Sequence, residues 1–166
     1  EVIRAHERQG FDFIALTDHD HLLRNGCYDA VRSIDTELLV FTGIELTVFE
    51  SGYVHVNRIE GDEEILYVFN HPAQMNLPLE RAIEKIKTVA ERHPIDAVEI
   101  TSHGFRTPEF EIDELPWPKV ASDDSHTRTA IGRAWIEMDC SRDRDRIIRA
   151  IRQGDFWNCY AERRRT

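Results

Sequence analysis

The sequence contains no apolar run of membrane-spanning length, which sets aside a transmembrane protein at the outset. It also lacks internal repeats at solenoid periods, low-complexity tracts and linkers rich in proline, glycine and serine, so one domain over 1–166 is expected. Cysteine is scarce: Cys27, Cys140 and Cys159 are odd in number, widely spaced and free of any Cys-x-x-Cys pattern. That excludes a disulfide framework and a zinc knuckle, and it suits a reducing cytoplasm with buried or half-buried thiols. Basic residues are outnumbered, 21 against 31 acidic ones, for a formal charge of −10. General binding of nucleic-acid backbones needs clustered cations and is therefore not expected. Phosphate substrates are not excluded, because divalent cations held by the acids would set the local field. An initiator Met and a signal-peptide pattern are missing at Glu1, so the sequence is expected to begin inside a longer native chain.

What is present reads as strands alternating with helices or loops. Val2 to Gln9 has the pattern of an amphipathic helix ending before Gly10, and Phe11 to Leu16 is a short apolar strand. Further strands are predicted over Leu38–Val48, Tyr53–Ile59, Ile65–Phe69, Asp96–Thr101, Lys119–Ala121 and Trp135–Met138. The clearest helix is Pro78 to Arg92, with proline at its start and Leu79, Ile83, Ile86 and Ala90 on one face; Arg144 to Arg152 closes the pattern before Gly154. This order argues for an α/β fold with a largely parallel core.

The metal-capable residues follow those strands. Asp18, His19, Asp20 and His21 come after the first, Glu45 after the second, His55 after Tyr53 and Val54, and His71 after Leu66–Phe69. His103 follows Ala97–Ile100, and Asp123, Asp124 and His126 follow Val120 and Ala121. The C-terminal ends of strands are where active sites gather in barrels and open α/β sheets. Imidazole and carboxylate together suit Zn, Mn or Fe better than Mg or Ca, and the set exceeds what one ion needs, so two or more cations are implied.

Several of these residues have plainer readings. His6 lies in a helix and His93 precedes its strand, so both are read as structural. His21 and His103 are equally suited to surface roles and to contact with substrate. Asp20 and Asp123 fit caps or groups that orient ligand imidazoles. Glu99, inside a buried stretch, is read as structural, and Arg163, Arg164 and Arg165 as a solvated charge run.

The strings Gly10-Phe-Asp-Phe-Ile-Ala-Leu-Thr-Asp-His-Asp20, Gly43-Ile44-Glu45, Val54-His55-Val56, Asn70-His71-Pro72 and Ser122-Asp-Asp-Ser-His-Thr127 occur in an order that resembles the PHP (polymerase and histidinol phosphatase) domain. The resemblance implies a distorted TIM-like (β/α)7 barrel with a trinuclear site of Zn, Mn or Fe that hydrolyses phosphoesters. It implies His19, Glu45, His55, His71, Asp124 and His126 as metal ligands, with Glu45 bridging two ions. Family members open with a strand bearing a His-x-His pair; the present chain starts at the helix that follows it, so the barrel is expected without its N-terminal strand. The interval from Glu45 to His71 leaves no room for the helical insertion of some members, and a compact, open pocket is expected.

The function expected is hydrolysis of phosphomonoesters or small phosphodiesters, such as nucleotides or sugar phosphates, by a metal-activated hydroxide. Asp18, His21 and His126 are the catalytic candidates, with His126 or His21 protonating the leaving alkoxide. Arg106, Arg128 and His103 are the candidates for substrate binding, the arginines by bidentate contact to phosphate. Two rivals stand beside this reading: a metal-dependent amidohydrolase, since the same ligands activate water against carbon centres, and a non-catalytic metal-stabilised module of a larger protein.

Overall fold

The computed structural model describes residues 1–161; the arginine run at 163–165 lies outside the described residues. The strands are β1 (Phe13–Leu16), β2 (Leu39–Phe49), β3 (Tyr53–Glu60), β4 (Ile65–Phe69), β5 (Ala97–Glu99), β6 (Thr101–Ser102), β7 (Phe105–Arg106), β8 (Lys119–Val120), β9 (Ala134–Glu137) and β10 (Trp157–Tyr160). Among them lie α1 (Val2–Arg8), α2 (Cys27–Arg32), α3 (Leu79–Ala90) and α4 (Arg144–Gln153). None of these helices is long and apolar enough to cross a membrane.

The main sheet has six strands in the order β1-β2-β3-β4-β5-β8, curled into a half-barrel, with β9-β10 and β6-β7 as separate antiparallel pairs. The pairs β1-β2, β4-β5 and β5-β8 are parallel, whereas β2-β3 and β3-β4 are antiparallel. This corrects the expected (β/α)7 barrel. A parallel crossover needs a dozen or more residues, but only residues 50–52 separate β2 from β3 and only 61–64 separate β3 from β4. Connections of that length permit hairpins alone, so the middle of the sheet is a helix-free meander.

Strands covered on both faces must be apolar on both faces, and β4 and β5 are. Phe69 and Val98 pack with Ile86 and Val89 of α3 on one side, and Leu66, Val68 and Ala97 pack with Ile147, Ile148 and Ile151 of α4 on the other. The buried stripe of α3 is Ala82, Ile86 and Val89, while Leu79, expected on the apolar face, is exposed. Full burial of a side chain such as Ile86 stabilises the fold by roughly 1.5–3 kcal/mol. A third cluster sets α1 on β1 through Ile3, Ile14 and Leu38.

Asp143 caps α4 by accepting from the Arg146 N–H at 2.9 Å. Two residues on, Asp145 accepts from the N–H groups of Asp62, Glu63 and Glu64, which ties the β3-β4 turn to the helix and holds this carboxyl below its usual range. Gly43 allows β1, β2 and β3 to approach closely: a Cβ there would lie 2.7 Å from the Arg58 carbonyl and 3.0 Å from the Thr17 methyl. A cavity of about 710 Å³ lies between β1 and β9 and reaches Asn70 and Glu99 at the site end of the sheet.

Candidate metal centre

Antiparallel pairing decides where the site residues meet. The strand β3 enters the sheet where β2 leaves it, so His55, third in β3, lies opposite Thr47, two residues past Glu45. His55 therefore stands at the N-terminal end of its strand, not at a C-terminal end as the sequence suggested, yet it reaches the same edge. Glu45 lies within the long β2, and His19 forms a parallel bridge to it just past β1. The backbone closes this junction twice: Glu45 N–H donates to the Asp18 carbonyl and Asp20 N–H to the Glu45 carbonyl, both at 3.0 Å.

Three imidazoles converge on the buried Glu45 carboxylate. His19 Nδ1 is 2.9 Å from Oε2, while His55 Nδ1 and His71 Nε2 each lie 3.3 Å from Oε1. Asn70 Nδ2 donates to the same Oε1 at 2.8 Å. Burial alone would push the Glu45 pKa up, but the bonds from His55, His71 and Asn70 outweigh it and hold the carboxylate far below its usual range. Burial opposes the charged form of His71, and the bond to Glu45 and the nearby Glu99 and Asp124 reverse that, leaving its pKa raised.

A second group gathers at the neighbouring loops. His103 Nδ1 lies 3.4 Å from Asp124 Oδ2, and His126 Nδ1 lies 3.6 Å from Asp124 Oδ1. The Asp124 carboxyl is raised by burial and by repulsion from Glu45, and lowered by His126 and His71, so the two groups share one electrostatic field. Within each set, His19, Glu45 and His55 or His103, Asp124 and His126, one donor atom per residue lies within 4.8 Å of the others.

The donor set, imidazole nitrogens beside carboxylate oxygens, fits a borderline divalent cation. A further observation supports the fit. His19 Nδ1 is buried and has no hydrogen-bond partner although Glu45 Oε2 is 2.9 Å away, the relation expected of two ligands aimed at a shared ion.

Backbone strain concentrates here. Among the described residues five non-glycine positions have positive φ, and three of them are His71, His103 and Asp124, at 28°, 50° and 44°. For His103 the cause is local: with Gly104 at 79° it forms the two-residue turn of the β6-β7 hairpin, the type that requires positive φ at both positions. His71 is held by its own N–H, which donates to Glu99 Oε2 at 2.8 Å.

The other sequence-predicted residues lie around these groups. His21 is exposed, its ring 5.3 Å from that of His19, and Asp20 stands 3.4 Å from its Nδ1. Asp20 also accepts from the Thr47 N–H and hydroxyl; the backbone bond is the main reason its pKa is lowered. Asp18 is exposed and joins the junction through its carbonyl. Arg106 is bound bidentately by Glu111, with both contacts at 2.6 Å, and lies over Tyr160; Arg128 pairs with Glu1. Neither arginine is turned into the imidazole clusters. Asp123 fixes a loop by accepting from the Gly132 N–H at 2.7 Å. His6 bonds the Val2 carbonyl within α1, and His93 lies near Glu50, away from both groups.

One contributor escaped the sequence reading, and a second, Glu99, is read there as structural, in keeping with the backbone donor it accepts from. Asn70 was visible only as the neighbour of His71, and its bond to Glu45 depends on where β4 ends. Glu99 follows Ala97 on the cavity side of β5, and its contact to His71 links strands whose adjacency a single sequence does not reveal.

Comparison with protein families gives a match to the PHP-associated model (PHP_C) over residues 110–156, the segment that contains Asp124 and His126. No curated protein matches the chain. The PHP-associated match falls in a chain whose earlier motifs carry the PHP resemblance, and the two are consistent.

Proposed function

We propose that the chain is a metal-dependent hydrolase of phosphate esters, acting on phosphomonoesters or small phosphodiesters such as nucleotides and sugar phosphates. The observation that carries this reading is the meeting of two groups of metal-capable side chains at one end of the sheet, coupled through Glu45, His71 and Asp124. His19, Glu45, His55 and His71 would hold one cation, and His103, Asp124 and His126 another, drawn from Zn, Mn or Fe; the resemblance suggests two or three ions. Bound cations would supply an ionised water and neutralise charge on the phosphoryl oxygens.

The chain's own residues account for the rest. Glu45 keeps its charge because three donors hold it, so it remains a ligand well into acid. Asp20, pinned by Thr47, faces Nδ1 of His21 and leaves Nε2 of that exposed ring open toward solvent, placed to give a proton to a departing alkoxide. Three free cysteines suit a reducing compartment, in keeping with a cytoplasmic enzyme.

The test is phosphate release from a panel of nucleotides, sugar phosphates and a chromogenic ester by the Mn- or Zn-loaded chain, with Glu45→Gln as the inactive control. Turnover that requires metal and Glu45 supports the proposal. Hydrolysis of amides without phosphate release would favour the amidohydrolase rival, and full metal occupancy without any turnover would favour the non-catalytic module.

A further inference from the structure

We infer that Arg133, rather than Arg106 or Arg128, is the residue that recognises the anionic group of the substrate; this rests on the phosphoesterase reading above. The fork of Arg106 is filled by Glu111, whose two oxygens reproduce the geometry of a bound phosphate, and its pKa is raised by that partner. Arg128 is exposed and pairs with the chain's first residue. Arg133 has no carboxylate partner among the described residues; its Nη1 lies 3.3 Å from the His103 carbonyl and its guanidinium 5.1 Å from the centre of the Phe105 ring.

These contacts place a positive charge on the hairpin that bears a metal-capable imidazole. Gly104 permits the placement: a Cβ there would lie 2.5 Å from the Arg133 Cβ and 3.3 Å from the Asp123 Cα. Asp123 anchors the same segment from the other side through the Gly132 N–H. Arg133 is thus packed against Gly104, which also lies against Asp123, the residue before Asp124, while among the described residues its head group meets a carbonyl oxygen and an aromatic face. Both are weak partners for a guanidinium, and a phosphate arriving at the His103, Asp124 and His126 group would replace the carbonyl with a charge-assisted, bidentate contact. In a chain of net charge −10, one cation unpaired by acid among the described residues beside the site also draws an anion through an otherwise repulsive surface.

The test measures inorganic phosphate binding to the Mn-loaded chain by calorimetry, and kcat and KM for a chromogenic phosphate ester. The variants are Arg133→Ala, Arg133→Lys and, as a remote control, Arg149→Ala, which removes a contact of α4 to Glu64. Arg133→Ala should weaken phosphate binding by about tenfold or more and raise KM in parallel, with Mn stoichiometry unchanged; Arg133→Lys should recover part of the loss. Arg149→Ala should match the parent. If the parent binds phosphate and Arg133→Ala binds it equally well, Arg133 is not the anion-recognising residue and the phosphoesterase reading survives. If the Mn-loaded parent neither binds phosphate nor turns over the ester, both are overturned.

Discussion

The N–H of His71 donates to Glu99 Oε2 across 2.8 Å, so a buried carboxyl fixes the strained backbone of an imidazole that faces Glu45. The other oxygen of Glu99 lies 2.7 Å from the Thr101 hydroxyl, which also contacts the Ser122 carbonyl. Strands β4, β5 and β8 are thereby joined beneath the site by side chains as well as by backbone.

Burial pushes the Glu99 pKa up to about 7, against contributions from His71 and Thr101 that lower it. A folded-state pKa above the unfolded value means stability that is full below about pH 4.5 and is lost as pH rises through about 7. The metal-free Glu99→Gln variant lacks this loss. Relative to the parent it should gain stability between pH 5 and 8, by about 3 kcal/mol at most. Denaturant unfolding at several pH values checks this; a difference that does not vary with pH would contradict it.

Glu45 has the opposite sign. Its lowered pKa contributes stability that is present above the ordinary carboxylate range and fades as pH falls below it. Metal binding should weaken at higher pH than that, because His71, with its raised pKa, must lose a proton to become a ligand. Titrations with Zn or Mn should show proton release and falling affinity as the solution is acidified past the imidazole range. Glu45→Gln should lower the affinity at neutral pH by at least about 100-fold.

His71→Ala should abolish phosphate-ester turnover. His93→Ala, at a ring that lies near Glu50, should leave it within experimental error of the parent. Circular dichroism of both variants separates a lost ligand from a lost fold.

Gly43→Ala should destabilise the protein by about 1–3 kcal/mol. The added methyl meets the Arg58 carbonyl at 2.7 Å, a backbone atom that cannot turn away. A shift in the denaturation midpoint at constant slope is the expected result, and an unchanged midpoint would show that the two strands separate more easily than their packing suggests.

Most elements were legible because their periodicity is strong: β4 is found where its apolar run stands, and α1, β2, β3, α3 and α4 differ from expectation by one or two residues at their ends. Others left no such trace. The helix α2 buries none of its residues and so has no stripe to detect, and β10 is four residues following a glycine turn. Strand direction was the larger omission. Alternation marks Tyr53–Glu60 as a strand but is the same read either way, so the parallel barrel and the hairpin meander look alike until turn lengths are weighed. The same blindness put His55 at the wrong end of its strand while still placing it in the right cluster. The sequence suits His103 to a surface role or to substrate contact and does not reveal its neighbour; the structure sets it 3.4 Å from Asp124 on a His-Gly turn, where asparagine usually precedes glycine.

Whether these side chains hold cations can be read from anomalous diffraction of crystals grown with manganese. Peaks are expected within about 2.3 Å of donor atoms of His19, Glu45 and His55 and of His103, Asp124 and His126. Empty positions in both groups at saturating manganese would contradict cation binding.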